Sequence, residues 1–263
     1  MTGRERVIAS LQHREPEGLA IDFGAMRSTG IHMLACLDLL DYLGMDLEPP
    51  RLYDVFQQLA EPQKEVLERL GGDVVQSHMR SPAFGISIDE GWRIQSMAGR
   101  DVLVPDGYRP VREEDGSEYL YQDGARWARR PQGGLYFDQV AHPYADCASE
   151  ADVDRVPIAP LSRRDIDFVA RETRRLYETT DKAILLPFGG NIFEAGQLDF
   201  GYENFFVNLL TEPDMMHYYF NRITDVHMQN LQALLEEVGD MVQVIQFGDD
   251  LGTQQAPKIS NDT

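Results

Sequence analysis

The sequence predicts an α/β protein built around a parallel sheet, on three observations. Short apolar runs at 19–23, 73–78, 183–188 and 242–247 each end at polar or glycine-rich turns, as buried strands do. Helical stretches separate them, so the order opens strand, helix, helix, strand, the rhythm of a parallel sheet with crossover helices. The chain has 263 residues, a length at which an α/β barrel of about 250 residues forms one domain.

Each element has its own warrant. Thr2-Gly3-Arg4-Glu5 has capping-box spacing, and Val7, Ile8 and Leu11 give the helix that follows an apolar face to about His13. Leu19-Ala20-Ile21-Asp22-Phe23 reads as a buried strand ending at Gly24. Leu34, Leu37, Leu40 and Leu43 make 31–43 helical, with Gly44 to end it, and Pro62 opens a helix that Gly71-Gly72 stops. Asp73-Val74-Val75-Gln76-Ser77-His78 is the second strand. From 84 to 157, Gly91, Gly99, Asp106-Gly107, Asp115-Gly116, Asp123-Gly124 and Gly133-Gly134 punctuate short pieces, which predicts antiparallel hairpins inserted into the α/β scheme. The rhythm resumes with a helix at 165–180, a strand at 183–188, helices at 203–210 and 213–238, and a strand at 242–247.

With 44 acidic against 24 basic side chains the net charge is −20, which excludes nucleic acid and anionic membrane surfaces as partners. The two cysteines, Cys36 and Cys147, form no CxxC pair, so neither a disulfide framework nor a zinc ribbon is expected. The uncharged stretch at 183–193 is far shorter than the ~20 residues of a membrane helix, and the chain reads as cytoplasmic.

Loops leaving the carboxyl ends of parallel strands build active sites in such folds. Arg27, in a glycine-bracketed loop, suits a fork on a carboxylate or phosphate, or a pairing with one of the many surface acids. His78 leaves the second strand as an acid, base, ligand or ordinary polar residue. Asn191 follows Gly189 and Gly190, where backbone can approach a ligand closely, or it caps the next helix. Asp249 and Asp250 follow an apolar strand directly and can hold a cation, move a proton, or serve as turn and cap residues. His32 and Cys36 share a helix face at i, i+4 but lack a third metal ligand.

These residues resemble a family. Thr2-Gly3-Arg4-Glu5-Arg6-Val7, Asp22-Phe23-Gly24 with Met26-Arg27, Leu70-Gly71-Gly72-Asp73-Val74-Val75, Pro187-Phe188-Gly189-Gly190 and Gly248-Asp249-Asp250-Leu251-Gly252 together resemble the uroporphyrinogen decarboxylase superfamily, in particular its branch of corrinoid-linked methyl transfer. The resemblance implies a (β/α)8 TIM-type barrel over 1–263, with 84–157 as the β-hairpin insertion. With only four strands to count, the chain is expected to lack the C-terminal third of that barrel. The open sheet edge then invites a second copy, a homodimer.

True decarboxylases carry an MRQAGR loop whose two arginines meet substrate carboxylates. Here Arg27 matches the first, Ile31 stands at the second, and Arg80 falls where a pyrrole-binding Asp belongs. The methyltransferase branch matches better. Its zinc, held by His-x-Cys and a later Cys, would come only from ligands beyond Thr263, and no metal site is expected within this chain. On this reading Arg27 binds an anionic group of a small molecule or corrinoid-protein substrate. Asn191 and Gly190 bind substrate beside it, and Asp249, Asp250 and His78 are the expected catalytic residues. Two readings remain beside it: uroporphyrinogen decarboxylation, which needs no cofactor, and a non-catalytic module that binds a tetrapyrrole or corrinoid protein.

Overall fold

The computed structural model describes residues 1–260. The capping box closes as the spacing predicts: the Thr2 hydroxyl accepts from the Glu5 amide at 3.1 Å, and the Glu5 carboxylate accepts from the Thr2 amide at 2.9 Å. It starts α1 (Gly3–Leu11). A 3-10 turn at Arg27–Thr29 leads to β1 (Ile31–His32) and α2 (Met33–Leu43). Then come β2 (Leu52–Asp54), β3 (Leu59–Ala60), α3 (Lys64–Leu70) and β4 (Val74–Gln76). Gly44 and Gly71 end α2 and α3 in the left-handed conformation, φ 64° and 72°. The hairpin region holds β5 (Trp92–Met97), β6 (Arg100–Pro105), β7 (Val111–Arg112), β8 (Glu118–Gln122), β9 (Ala125–Arg130) and β10 (Asp138–Gln139). The remainder is α4 (Glu150–Arg155), α5 (Arg163–Thr179), β11 (Ala183–Gly189), α6 (Phe193–Phe200), α7 (Tyr202–Thr211), α8 (Pro213–Val238) and β12 (Val244–Phe247).

The parallel sheet has three strands in the order β12-β11-β4. One face buries Leu186 against Phe168, Val169 and Ala170 of α5 and Leu234 and Val238 of α8. The other buries Leu185, Ala183 and Val74 against Val7 of α1 and Ala25. This corrects the expected (β/α)8 barrel. A barrel closes on eight parallel strands, and the described residues form small separate sheets, parallel and antiparallel, with no closed barrel.

The expected first strand at 19–23 shows why one neighbour is missing. Ile21 O accepts from the Asp73 amide at 2.7 Å, a first ladder bond beside β4. The Ile21 amide is then taken by the Asp73 carboxylate at 3.0 Å, so a side chain replaces the next backbone carbonyl and pairing stops. Leu19 is left 85% exposed.

Two of the Asp-Gly turns form hairpins, Asp115-Gly116 between β7 and β8 and Asp123-Gly124 between β8 and β9, while Asp106-Gly107 links strands of separate sheets. Asp123 and Gly124, between β8 and β9, sit at φ 50° and 80°, the paired positive values that a type I′ turn demands. The resulting four-stranded sheet runs β10-β9-β8-β7. It is no free-standing insertion, because its buried Leu120, Ala128 and Phe137 share a core with Met33, Cys36, Leu37 and Leu40 of α2 and with Leu52 and Ala60. The body that holds the hairpins therefore begins near residue 31, far upstream of 84.

A second core gathers Phe193, Phe200, Phe205, Met216, Tyr219 and Ile223 among α6, α7 and α8. At its margin the Tyr219 hydroxyl donates to Asp199 Oδ2 at 2.7 Å. Burial raises the Asp199 carboxyl above its ordinary range, and the Tyr219 bond offsets only part of that. An acid raised on folding contributes most below its unfolded pKa of about 3.9, and that contribution is lost as pH rises through the folded value. Asp199→Asn should therefore unfold at a higher temperature than the parent at pH 7, with the gap closing below about pH 4. Thermal unfolding across that range checks it, and a gap independent of pH would refute it.

Candidate functional site at the strand carboxyl ends

Where β11 and β12 end, two glycine-rich turns meet. The Gly248 amide donates to Gly189 O at 2.9 Å, and Gly189 and Gly190 hold φ 78° and 63°. A Cβ on Gly190 would lie 2.9 Å from the Phe188 ring and 3.1 Å from the Phe247 ring, so only glycine lets the backbone pass between them. A Cβ on Gly248 would stand 3.0 Å from Gln246 Nε2 and 3.8 Å from Asn191 Nδ2, which places two carboxamides over that glycine. Asn191 Nδ2 donates to Glu194, and Asn191 O pairs with His227 Nε2 at 3.0 Å. The Phe188 ring meets His227 edge-on at 6.0 Å.

Asp249 is the hub of the turn. Its Oδ2 accepts from the amides of Ile192 at 3.0 Å and Phe193 at 2.8 Å, and its Oδ1 from the amide of Glu194 at 2.7 Å. Those are the free N–H groups at the start of α6, so the carboxylate caps a helix that lies far upstream in sequence and complements its dipole. Among the roles read from the sequence, the contacts seen are those of a cap. Asp249→Ala should cost about 2 kcal/mol and Asp249→Asn less, since an amide oxygen still accepts. Denaturant unfolding reads both, and equal losses for the two variants would contradict the cap.

The structure thus brings together Gly190, Asn191 and Asp249, with Glu194, His227 and Gln246 beside them. The other predicted residues take partners elsewhere. Asp250 is exposed and pairs with Lys258 at 3.0 Å, which, with the Gly252 amide, holds its carboxyl low. Arg27 bonds through Nε to the buried Asp54 and through its second guanidinium nitrogen to Pro82 O at 2.8 Å, over the Phe56 ring. Asp54 in turn accepts from the Phe56 and Gln57 amides at 2.8 and 2.9 Å. His78 lies 3.5 Å from Glu61 and packs its ring on Tyr53 at 4.5 Å. Arg80 pairs with Asp165 at 2.6 Å, in the capping box of α5.

The His32 and Cys36 pair does not form a metal face. His32 Nδ1 accepts from the Leu34 amide at 3.2 Å, Nε2 meets Leu135 O at 3.3 Å, and burial pushes the Cys36 thiol up to about 11. No cluster of three or more His, Cys, Asp and Glu side chains converges as a metal site among the described residues, and none of their helices is long and apolar enough to cross a membrane.

Sequence reasoning missed Gln246, Glu194 and His227. Gln246 had a signal, as the polar residue interrupting an apolar strand just before its glycine turn. His227 had none, because its partner is a backbone carbonyl on another element. Comparisons with known protein families, with curated proteins and with solved structures each find no match.

Proposed function

We propose that the chain is an enzyme of the uroporphyrinogen decarboxylase-like kind, acting by methyl transfer that involves a corrinoid substrate and a small thiol. One observation carries the reading. Two of the segments that resemble that superfamily, 187–190 and 248–252, are distant in sequence yet meet at the carboxyl ends of adjacent parallel strands. That is where open α/β sheets bind their ligands.

The chemistry asks little of such a site. A thiol loses its proton, its sulfur bonds the methyl carbon, and the cobalt–carbon bond breaks with its electron pair left on cobalt. Glu194 suits the role of proton acceptor, because it is the carboxylate of the cluster that backbone amides do not occupy. Asn191 and Gln246 offer donors over Gly248 that orient a polar ligand. Asp249 acts by positioning, holding the start of α6 against the turn. Arg27, with Asp54 fixing its Nε, keeps its remaining guanidinium nitrogen for an anionic group. The donor set described does not fit the zinc of the methyltransferase branch, so no step is routed through a metal.

Decarboxylation of uroporphyrinogen is the weaker reading. Arg80, standing where a pyrrole-binding Asp belongs, is tied to Asp165, and the net charge of −20 disfavours a substrate with eight carboxylates. The test is to mix the full chain with methylcobalamin and a small thiol and follow loss of the methyl–cobalt absorbance. Turnover that falls at least about a hundredfold in Glu194→Gln supports the proposal. Release of CO2 from uroporphyrinogen, or binding of either compound without turnover, would overturn it.

A further inference from the structure

We propose a second ligand site, beside the end of β4 and apart from the turns that follow β11 and β12: an arginine-lined cleft between α5 and β5 that binds a small oxyanion, a carboxylate or a phosphate. The cleft has a volume of about 270 Å³ and opens beside a larger one of about 720 Å³, with Glu61, Gln76, His78 and Arg175 on the wall they share. Its size suits a ligand smaller than drug-like molecules.

Three guanidinium groups converge on it. Arg171 and Arg175 come from successive turns of α5, and Arg51 comes from the opposite wall. Each is paired, Arg51 with Glu61 at 3.8 Å, Arg171 with Asp89 at 2.9 Å and Arg175 with Glu172 at 2.9 Å. The pairs are layered by depth. The three arginine side chains are 52–57% exposed, while their three carboxylates are 23–33% exposed. The carboxylates line the cleft as well, each the less exposed member of its pair. A guanidinium has five donors, and one carboxylate contact leaves a face free for a second oxyanion.

Aromatic planes set those faces. The Arg51 guanidinium lies 5.1 Å from the Trp92 ring and that of Arg171 lies 5.2 Å from the Phe168 ring. Such stacking lowers the entropy lost on gripping a ligand. His78 completes the wall. Its Nδ1, Gln76 Oε1 and the Tyr53 hydroxyl are all buried without a hydrogen-bond partner. Polar atoms enclosed in a protein are nearly always satisfied, and of these three His78 Nδ1 lies on the wall of the cleft and can carry a proton toward an oxyanion.

The proposal does not rest on the methyl-transfer reading, and its test uses no turnover. Isothermal titration of the full chain with inorganic phosphate and, separately, with succinate should show one saturable site for at least one of them, weakening as salt is added. Arg175→Gln should weaken that binding about tenfold and Arg171→Gln with Arg175→Gln about a hundredfold, with helix content unchanged by circular dichroism. Glu172→Gln, which frees Arg175 from its partner, should tighten it about threefold, a result that a purely structural role would not give. Phosphate alone or succinate alone identifies the ligand class. No saturable binding of either into the millimolar range, or affinity unchanged across these variants, overturns the proposal.

Discussion

Phe205→Ala is expected to lose about 4 kcal/mol of stability, within the range for truncating a buried phenylalanine. Phe205 has no exposed surface. Its ring meets those of Phe193 at 5.0 Å, Phe206 at 5.4 Å and Phe220 at 6.2 Å. It also fills the place where a Cβ on Gly196 would stand, so that glycine is the seat of the ring. The core here is a mesh of edge-on aromatic pairs, which cannot collapse to fill the void as aliphatic side chains can. Because Phe193 begins α6, loosening this core should also loosen the amides that Asp249 caps. Denaturant unfolding measures the stability. A loss below about 1 kcal/mol would mean that the site relaxes and the mesh is not rigid.

Arg27→Ala should cost about 3 kcal/mol, because it strands the Asp54 carboxylate. Asp54 is 1% exposed while Arg27 is 45% exposed, so the two sides of the pair are not equivalent. Removing the cation leaves a buried charge held only by two amides, whereas Asp54→Asn leaves the arginine half in water. The second variant should therefore cost less than the first. Arg27→Ala combined with Asp54→Asn should be more stable than Arg27→Ala alone, and a double-mutant cycle gives the coupling directly. Additivity of the two single losses would show that the contact contributes nothing. Loss of the proposed methyl transfer in Arg27→Lys, at unchanged stability, would separate binding of an anion from the structural role.

How much of this was legible depended on whether the interaction was local. The Thr2 and Glu5 box, the left-handed stops at Gly44 and Gly71 and the positive φ at Asp123-Gly124 are properties of a few adjacent residues, and the sequence states them. The three parallel strands were also legible, since β-branched and apolar runs bounded by turns have few alternatives. The run at 19–23 has the same pattern, but a strand exists only through its neighbour, and the Asp73 side chain intervenes in that pairing. Asp249 was placed correctly at a strand end, yet its three amide partners come from a helix that no spacing rule connects to it. His78 and Glu61 likewise meet only because the segments that follow β4 and β3 are folded together. The barrel failed for a related reason: closure is a property of the whole set of strands, which no one strand carries.

The N-terminal helix has a bearing on the order of events during synthesis. Arg4 donates to Thr180 O at 2.9 Å and to Lys182 O at 3.1 Å, its amide bonds Asp181 O at 2.8 Å, and its guanidinium covers the Tyr177 ring at 4.4 Å. Arg6 pairs with Asp73. α1 thus waits for the residues just past the end of α5 before it can dock, a delay on the order of ten seconds or more at ordinary elongation rates. Until then its apolar face is open to chaperones, and a ribosome stalled just short of residue 182 would hold a nascent chain in which α1 is still loose.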